Sequence, residues 1–323
     1  MKIDMAKVAA RANVQHTLGT SVSLDGKGVH SDQPVSIILH PAESDYGVRF
    51  AVLSKNGEEQ EIPAVHTSVG ATELCTIIGD PRGTFVATIE HLMAALRALG
   101  VDNVRIEIDG AEAPVMDGSS IAFVDAIREA GLLAQAARRT YIKIEKPIRV
   151  EMGRSYGELR PYDGCRLDVE IDFENPVIGR QRFECELTAE TFVNSIARAR
   201  TFGFMRDVEK LWAAGYALGS SLENSVVIGE EGVVNPEGLR YRDEFVRHKL
   251  LDAIGDLALA GAPIIGEFRS YRGGHKLNFL VLKALFENQD AWSYVRLPGK
   301  APAGAGYGEI AAEPAIALSP AKT

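Results

Sequence analysis

A helical pattern that runs directly into a strand pattern constrains the fold of this chain more than any other feature. In TIEHLMAALRALG the apolar residues recur at helical spacing, with Thr88 available to cap the N-terminus and Gly100 to end the helix. The next residues, VDNVRIEID, alternate apolar and polar side chains, which is the period of a half-buried strand. This order predicts helices that pack on one face of a sheet.

The same order recurs in the second half of the chain. A long helical pattern over about residues 243–260 ends before Gly261, and the strand pattern IIGEFRSY follows. Strand patterns precede helical patterns within each half instead of alternating regularly with them, which favours an α+β fold over a doubly wound parallel sheet. We therefore expect two similar α+β domains, at residues 14–137 and 138–300, with the polar segment QAARRT at their boundary.

Composition and charge disfavour several classes of function. The 323 residues carry 35 basic and 44 acidic side chains, a net charge of -9, which argues against a nucleic-acid partner. No apolar run approaches the ~18–20 residues that cross a bilayer, and charges near the N-terminus interrupt any signal peptide, so we expect a cytoplasmic protein. We also expect a monomer with loosely structured tails at residues 1–13 and 301–323, which lack sustained periodicity.

A stripe of polar residues runs along the second-half helix. His248, Asp252 and Asp256 follow i, i+4, i+8 spacing, and Lys249 lies on the adjoining flank. An imidazole and a carboxylate one turn apart can supply two ligands to one divalent ion. The same spacing is typical of a solvated face on which the histidine and the aspartate merely pair. The stripe alone does not decide between a metal site and a polar surface.

The first-half helix carries two more polar residues in its opening turn. Glu90 and His91 lie off its apolar stripe and offer a possible base beside a third possible metal ligand. Alternatively, Glu90 compensates the charge of the helix N-terminus and His91 is exposed. The sequence has no HExxH motif, so any metal site must take its ligands from two separated segments.

Two other segments contain side chains suited to catalysis. In YRGGHKLNF, two glycines precede His275, which is either a group at a strand end that faces a cleft or an ordinary turn histidine. In RARTFGFMRD, Thr201 and Phe202 stand among arginines. They present a hydroxyl and an aromatic ring to a ligand, or they belong to a charged helix end.

Five segments are decisive in their order and spacing: TIEHLMAALRALGVDN, PVMDGSS, RARTFGFMRD, EFVRHKLLDAIGDL and GGHKLN. Together they closely resemble the UDP-3-O-acyl-N-acetylglucosamine deacetylases of lipid A biosynthesis, from about Gln15 to Val295. The resemblance implies two α+β domains with a zinc site at their interface. It also implies a hydrolase that removes the N-acetyl group from UDP-3-O-acyl-N-acetylglucosamine and releases acetate. The alternatives are a deacetylase of another N-acetyl sugar and a nonenzymatic binding module.

The resemblance implies a metal site with a base beside it. It makes His91, His248 and Asp252 the zinc ligands and leaves a position for water, as catalytic zinc sites do. Glu90 would be the general base that takes a proton from this water. The same ligand set also accepts Fe2+, so the resemblance does not fix the ion used in the cell.

The remaining roles implied by the resemblance concern the amide and the rest of the substrate. Thr201 would stabilise the oxyanion, and His275, kept cationic by Asp256, would protonate the leaving amine. The apolar residues within 205–217 would line a channel for the hydroxyacyl chain, although they equally suit a core. The implied substrate contacts are Lys249, Phe202 and Arg272.

Overall fold

The computed structural model describes residues 13–53 and 57–297, and apart from Asn13 the two expected tails lie outside the described residues. The helices within these ranges are α1 (Glu90–Leu99), α2 (Ile121–Ala130), α3 (Ala189–Ser195), α4 (Val208–Ala213), α5 (Glu244–Ala258) and α6 (His275–Glu287). In the described part of the chain, none of them is long and apolar enough to span a bilayer.

Strands make up most of the remaining regular structure. The first half contains β1 (Val14–Leu18), β2 (Val22–Lys27), β3 (Pro34–Pro41), β4 (Val48–Leu53), β5 (Glu59–Pro63), β6 (Val69–Ala71), β7 (Ile77–Gly79), β8 (Phe85–Val86), β9 (Val104–Ile108) and β10 (Leu132–Arg138). The second half contains β11 (Tyr141–Ile144), β12 (Ile148–Met152), β13 (Ser155–Arg160), β14 (Cys165–Asp172), β15 (Arg180–Glu186), β16 (Phe202–Phe204), β17 (Val226–Ile228), β18 (Ile264–Tyr271) and β19 (Trp292–Val295).

The two largest sheets share one strand order. The first runs β2-β3-β9-β4-β5, with β9 antiparallel to β3 and parallel to β4. The second contains the path β12-β13-β18-β14-β15, with β18 antiparallel to β13 and parallel to β14. Two more strands belong to this sheet: β11 pairs with one end of β18, and β19 pairs with β11. The mixed helix and sheet architecture expected from the sequence is confirmed. The division into domains at residues 137 and 138 stays a prediction.

The central strand of each large sheet follows a helix, and a left-handed glycine lies in the connection. Gly100 has φ 78° after α1, and Gly261 has φ 81° in the connection from α5 to β18. A positive φ strains residues with a Cβ atom, so glycine suits the C-cap of α1 and the turn that follows the C-cap of α5 at Leu259. The helix and strand patterns from which the sequence analysis started are therefore correct in both halves.

The helices α1 and α5 pack against each other, and one continuous hydrophobic cluster connects the two halves. Leu96 of α1 and Ile106 of β9 belong to the same cluster as Leu250 of α5 and Phe268 of β18. α2 packs on α1, whereas α6 packs on α5 and on the β12-β13 hairpin. Both central helices are therefore covered on several sides, which leaves little of their surface for solvent.

Two local predictions were wrong. Thr88 does not cap α1, because it has φ 58° and its hydroxyl donates to Glu112 at 3.0 Å. His275 begins α6 instead of lying at a strand end, and the sequence analysis missed this helix. Its apolar residues occupy so much of its circumference that they obscure the helical period.

Candidate active site

The first turn of α1 meets the middle of α5 at a glycine. A Cβ atom on Gly255 would lie 2.0 Å from the carbonyl oxygen of Glu90, so a larger residue would force the helices apart. This close crossing brings Glu90 and His91 against Asp252, and their exposed fractions are 3%, 5% and 2%. Neither helix therefore has a solvated polar face here, and the surface interpretation of both polar groups is wrong.

His91, His248 and Asp252 form a compact cluster of possible metal ligands. One ligand atom from each residue lies within 4.8 Å of the other two. Oδ1 of Asp252 is 3.2 Å from Nε2 of His248 and 3.6 Å from Nε2 of His91. This oxygen is buried and has no hydrogen-bond partner among the described residues. A buried carboxylate oxygen is costly when unpaired, so its position between two imidazole nitrogens fits a divalent cation.

The neighbours of the cluster hold its side chains in a state suited to metal binding. Nδ1 of His248 lies 3.1 Å from the carbonyl oxygen of Ala199, to which it donates in the tautomer that leaves Nε2 unprotonated. Burial lowers the pKa of His248 to about 3, so this ring is neutral at pH 7. Lys249 Nζ donates to the other oxygen of Asp252 at 2.7 Å, which keeps that carboxylate oriented.

A second buried polar group stands beside the cluster. His275 Nδ1 lies 2.9 Å from Asp256, and its Nε2 lies 3.8 Å from Oε1 of Glu90. Burial lowers the pKa of His275, but the charges of Asp256 and Glu90 outweigh it and raise the pKa to about 9. Burial also raises the pKa of Glu90 above its ordinary value. The pair thus combines a carboxylate of raised basicity with a cationic imidazole at neutral pH.

Thr76 and Asn278 hold this second group in place, and the sequence analysis missed both. The main-chain N–H of Thr76 donates to Glu90 at 3.1 Å, and its hydroxyl donates to Asp256 at 2.6 Å. Asn278 Nδ2 donates to the other oxygen of Asp256 at 2.8 Å. Asn278 follows His275 by three positions on α6, a spacing that would have suggested a shared face had the helix been predicted. No local sequence pattern around Thr76 indicates a role in the site.

A cavity of about 500 Å³ opens on both polar groups. This volume suits a small-molecule ligand. Its polar lining includes Thr201, whose main-chain N–H is fixed on the carbonyl of Gly118 at 2.8 Å. The apolar side of the cavity is lined by residues in and around β16 and α4: Phe202, Phe204, Met205, Val208, Leu211 and Trp212. One cavity therefore joins a compact polar centre to an extended apolar wall.

The predicted substrate contacts differ in their placement. Phe202 lines the cavity, and Lys249 Nζ lies 5.9 Å from the centre of its ring. Arg272 is not among the lining residues, and its backbone has φ 52° while its N–H donates to Glu170. His30 also lines the cavity, although no acidic residue at metal-ligand spacing marks it in the sequence. Its main-chain N–H is held by Glu112, which is remote in the sequence.

A buried imidazole and carboxylate cluster with an acid–base pair beside it, inside a mixed helix and sheet fold, is typical of metal-dependent hydrolases. The model of the UDP-3-O-acyl N-acetylglycosamine deacetylase family matches residues 15–287. Proteins named UDP-3-O-acyl-N-acetylglucosamine deacetylase from Brucella ovis, Brucella canis and Brucella melitensis are each 52% identical over 282 residues. The similarity covers 87% of this chain and 98% of each relative. The chain belongs to the UDP-3-O-acyl N-acetylglycosamine deacetylase family.

Proposed function

We propose that this protein is a zinc-dependent hydrolase that removes the N-acetyl group from UDP-3-O-acyl-N-acetylglucosamine and releases acetate, in the synthesis of lipid A. The observation that carries the proposal is the unpartnered Oδ1 of Asp252 between the imidazoles of His91 and His248, facing the cavity. Family membership and the names of the relatives support the identity of the substrate.

His91, His248 and Asp252 would hold the cation. A divalent cation in this position supplies Lewis-acid chemistry, which acidifies a water molecule and polarises a carbonyl oxygen. Glu90 is the general base, because its carboxylate lies beside the ligand cluster and burial raises its pKa. Oε2 of Glu90 accepts a hydrogen bond from the main-chain N–H of Thr76, so the carboxylate does not rotate away from the cavity.

Breakdown of the amide requires a hydrogen-bond donor to the oxyanion and a proton for the leaving nitrogen. Thr201 lines the cavity and offers its hydroxyl to the oxyanion. His275 gives its Nε2 proton to the amine, and Asp256 holds the ring through Nδ1. A pKa of about 9 keeps His275 protonated at neutral pH, as this role requires.

The cavity suggests how the rest of the substrate binds. The apolar wall on Met205, Leu211 and Trp212 suits the hydroxyacyl chain. Lys249 and Phe202 lie where the polar centre meets this wall, and we assign them to the sugar. We retain Arg272 as a diphosphate contact, although it lies outside the cavity lining.

We also propose that the two halves are domains and that the site lies at their interface. The shared strand order of the two large sheets supports this division. Glu90 and His91 come from residues 14–137, whereas the other proposed catalytic groups and ligands come from residues 138–300.

Metal content and acetate release, measured on one preparation with acylated UDP-N-acetylglucosamine, test the proposal. We expect stoichiometric zinc, loss of turnover on chelation and recovery with added Zn2+. The His248→Ala variant should lose both metal and activity. Hydrolysis that survives chelation, or a fully active His248→Ala protein, would contradict the proposed function. Equal turnover of unacylated UDP-N-acetylglucosamine would instead indicate another N-acetyl sugar as the substrate.

A further inference from the structure

A buried ion pair lies directly behind the metal-ligand cluster. Arg200 and Glu244 have exposed fractions of 1% and 0%, and Arg200 Nε donates to Glu244 Oε1 at 2.9 Å. Arg200 also donates through Nη2 to the other oxygen of Glu244 and to the carbonyl of Gly238. The main-chain N–H of Arg240 donates a further hydrogen bond to Glu244 Oε2 at 2.6 Å. Such a pair is costly to desolvate, so its presence beside the site requires an explanation.

One peptide unit connects this ion pair to the ligand cluster. Its N–H belongs to Arg200 and donates to Glu244 Oε1 at 3.0 Å, whereas its carbonyl belongs to Ala199 and faces His248 Nδ1 at 3.1 Å. Glu244 and His248 are one turn apart on α5, so the helix holds both ends of the same peptide. The plane of this peptide is therefore fixed relative to the imidazole that it orients.

The arrangement also affects the electronic state of the histidine. A carboxylate that accepts the peptide N–H polarises the peptide and strengthens its carbonyl as an acceptor. A stronger acceptor at Nδ1 makes Nε2 a better donor to a cation and keeps the ring in one tautomer. The same stretch of chain continues into Thr201, which is fixed on Gly118 and whose carbonyl accepts from Val226.

We propose that Arg200 and Glu244 are positioning residues for His248, acting through the peptide that joins Ala199 to Arg200. This inference rests on the proposed function only in taking His248 as a metal ligand. Arg200 neutralises Glu244 so that the carboxylate can remain buried, and Glu244 holds the peptide that orients the ring. Both side chains are almost fully buried and neither lines the cavity, so we assign them no contact with the substrate.

The test is a competition titration of metal-free protein with Zn2+ and a chromophoric chelator, together with the visible spectrum of the Co2+-loaded protein. Glu244→Gln keeps an oxygen that can accept from the peptide but removes the negative charge that polarises it, so it should weaken Zn2+ affinity by about 10- to 100-fold, the usual effect of altering an outer partner, and should change the cobalt bands. The matched control is Asp243→Asn, the same change one residue earlier. Asp243 pairs with the partly exposed Arg247 and should leave affinity within about twofold.

Glu244→Asp is the second variant, because it keeps the buried charge but withdraws the carboxylate from the peptide. It should lower Zn2+ affinity with less loss of folding stability than Glu244→Gln. Wild-type affinity and wild-type cobalt bands in either folded variant would overturn the inference, even if thermal unfolding shifted. A wild-type protein that binds neither ion would refute the proposed function instead, so the two failures are distinguishable in one titration.

Discussion

Two histidines in one site have opposite charge states. His248 and His275 both lose hydration, which lowers the pKa of each. His275 faces the carboxylates of Asp256 and Glu90, and its pKa rises to about 9. Burial lowers the pKa of His248 most, and the charge of Asp252 raises it less than burial, His91 and Lys249 together lower it, so it falls to about 3. In the proposed mechanism, one residue type thus serves as a neutral ligand and as a cationic acid.

Replacing Glu90 should separate catalysis from metal binding. Glu90→Gln keeps the acceptor for Thr76 but removes the base, and loss of proton transfer usually lowers turnover by about 10²–10⁴-fold. Zinc content should stay at the wild-type level. Metal analysis and acetate release on the same protein measure both, with Glu107→Gln on the exposed face of β9 as the control. Loss of zinc in Glu90→Gln would make Glu90 a ligand instead.

The pH dependence of turnover should be bell-shaped. His275 must be protonated to act as an acid, so activity should fall as the pH rises through about 9. Glu90 must be ionised, and its raised pKa places the acidic limb above the ordinary glutamate range. In Asp256→Asn the largest charge that raises the pKa of His275 is absent, so the alkaline limb should move to lower pH. An alkaline limb that did not move would show that another group titrates there.

At the scale of secondary structure, the crossing of α1 and α5 determines the geometry of the site. Gly255→Ala normally favours a helix, but here the new methyl group would meet the main chain of Glu90 at 2.0 Å. We expect a net loss of about 1–3 kcal/mol of unfolding free energy from overpacking, with weaker Zn2+ binding. Urea unfolding and zinc titration measure these effects.

The control for this change is a glycine-to-alanine substitution in open space. In the part of the chain that the structure describes, a Cβ atom on Gly232 meets no atom within 4 Å, so Gly232→Ala should leave unfolding free energy and zinc affinity nearly unchanged. If Gly255→Ala behaved like this control, the helices would have room to separate without cost, and the crossing would not set the ligand geometry.

Elements with a clear period could be predicted from the sequence, and contacts between distant segments could not. The alternation in β9 and the spacing in α1 correspond to one buried face and one covered stripe. The stripe of His248 and Asp252 was correctly located, but periodicity cannot show that a second helix covers it. Thr76 joins Asp256 across 180 positions, a contact with no counterpart in local sequence.

For the whole molecule, metal binding should contribute to stability. The ligand cluster combines both halves, so it exists only in the folded chain, and a cation that binds this state selectively stabilises it. At a free Zn2+ concentration of about 100 times Kd, the gain is about 2.7 kcal/mol. Thermal unfolding with and without Zn2+ should show this shift in the wild type and not in His248→Ala. Equal shifts in both proteins would indicate binding elsewhere.

The continuous hydrophobic cluster has a consequence for recombination between relatives. A chimaera that took its first half from one family member and its second half from another would inherit complete sheets from both parents. Its success would depend on the side chains through which α1 packs against α5. These side chains belong to the hydrophobic core that both halves share, and their packing also positions the proposed metal ligands. Exchange of halves should therefore be tolerated only between parents whose two central helices are mutually compatible.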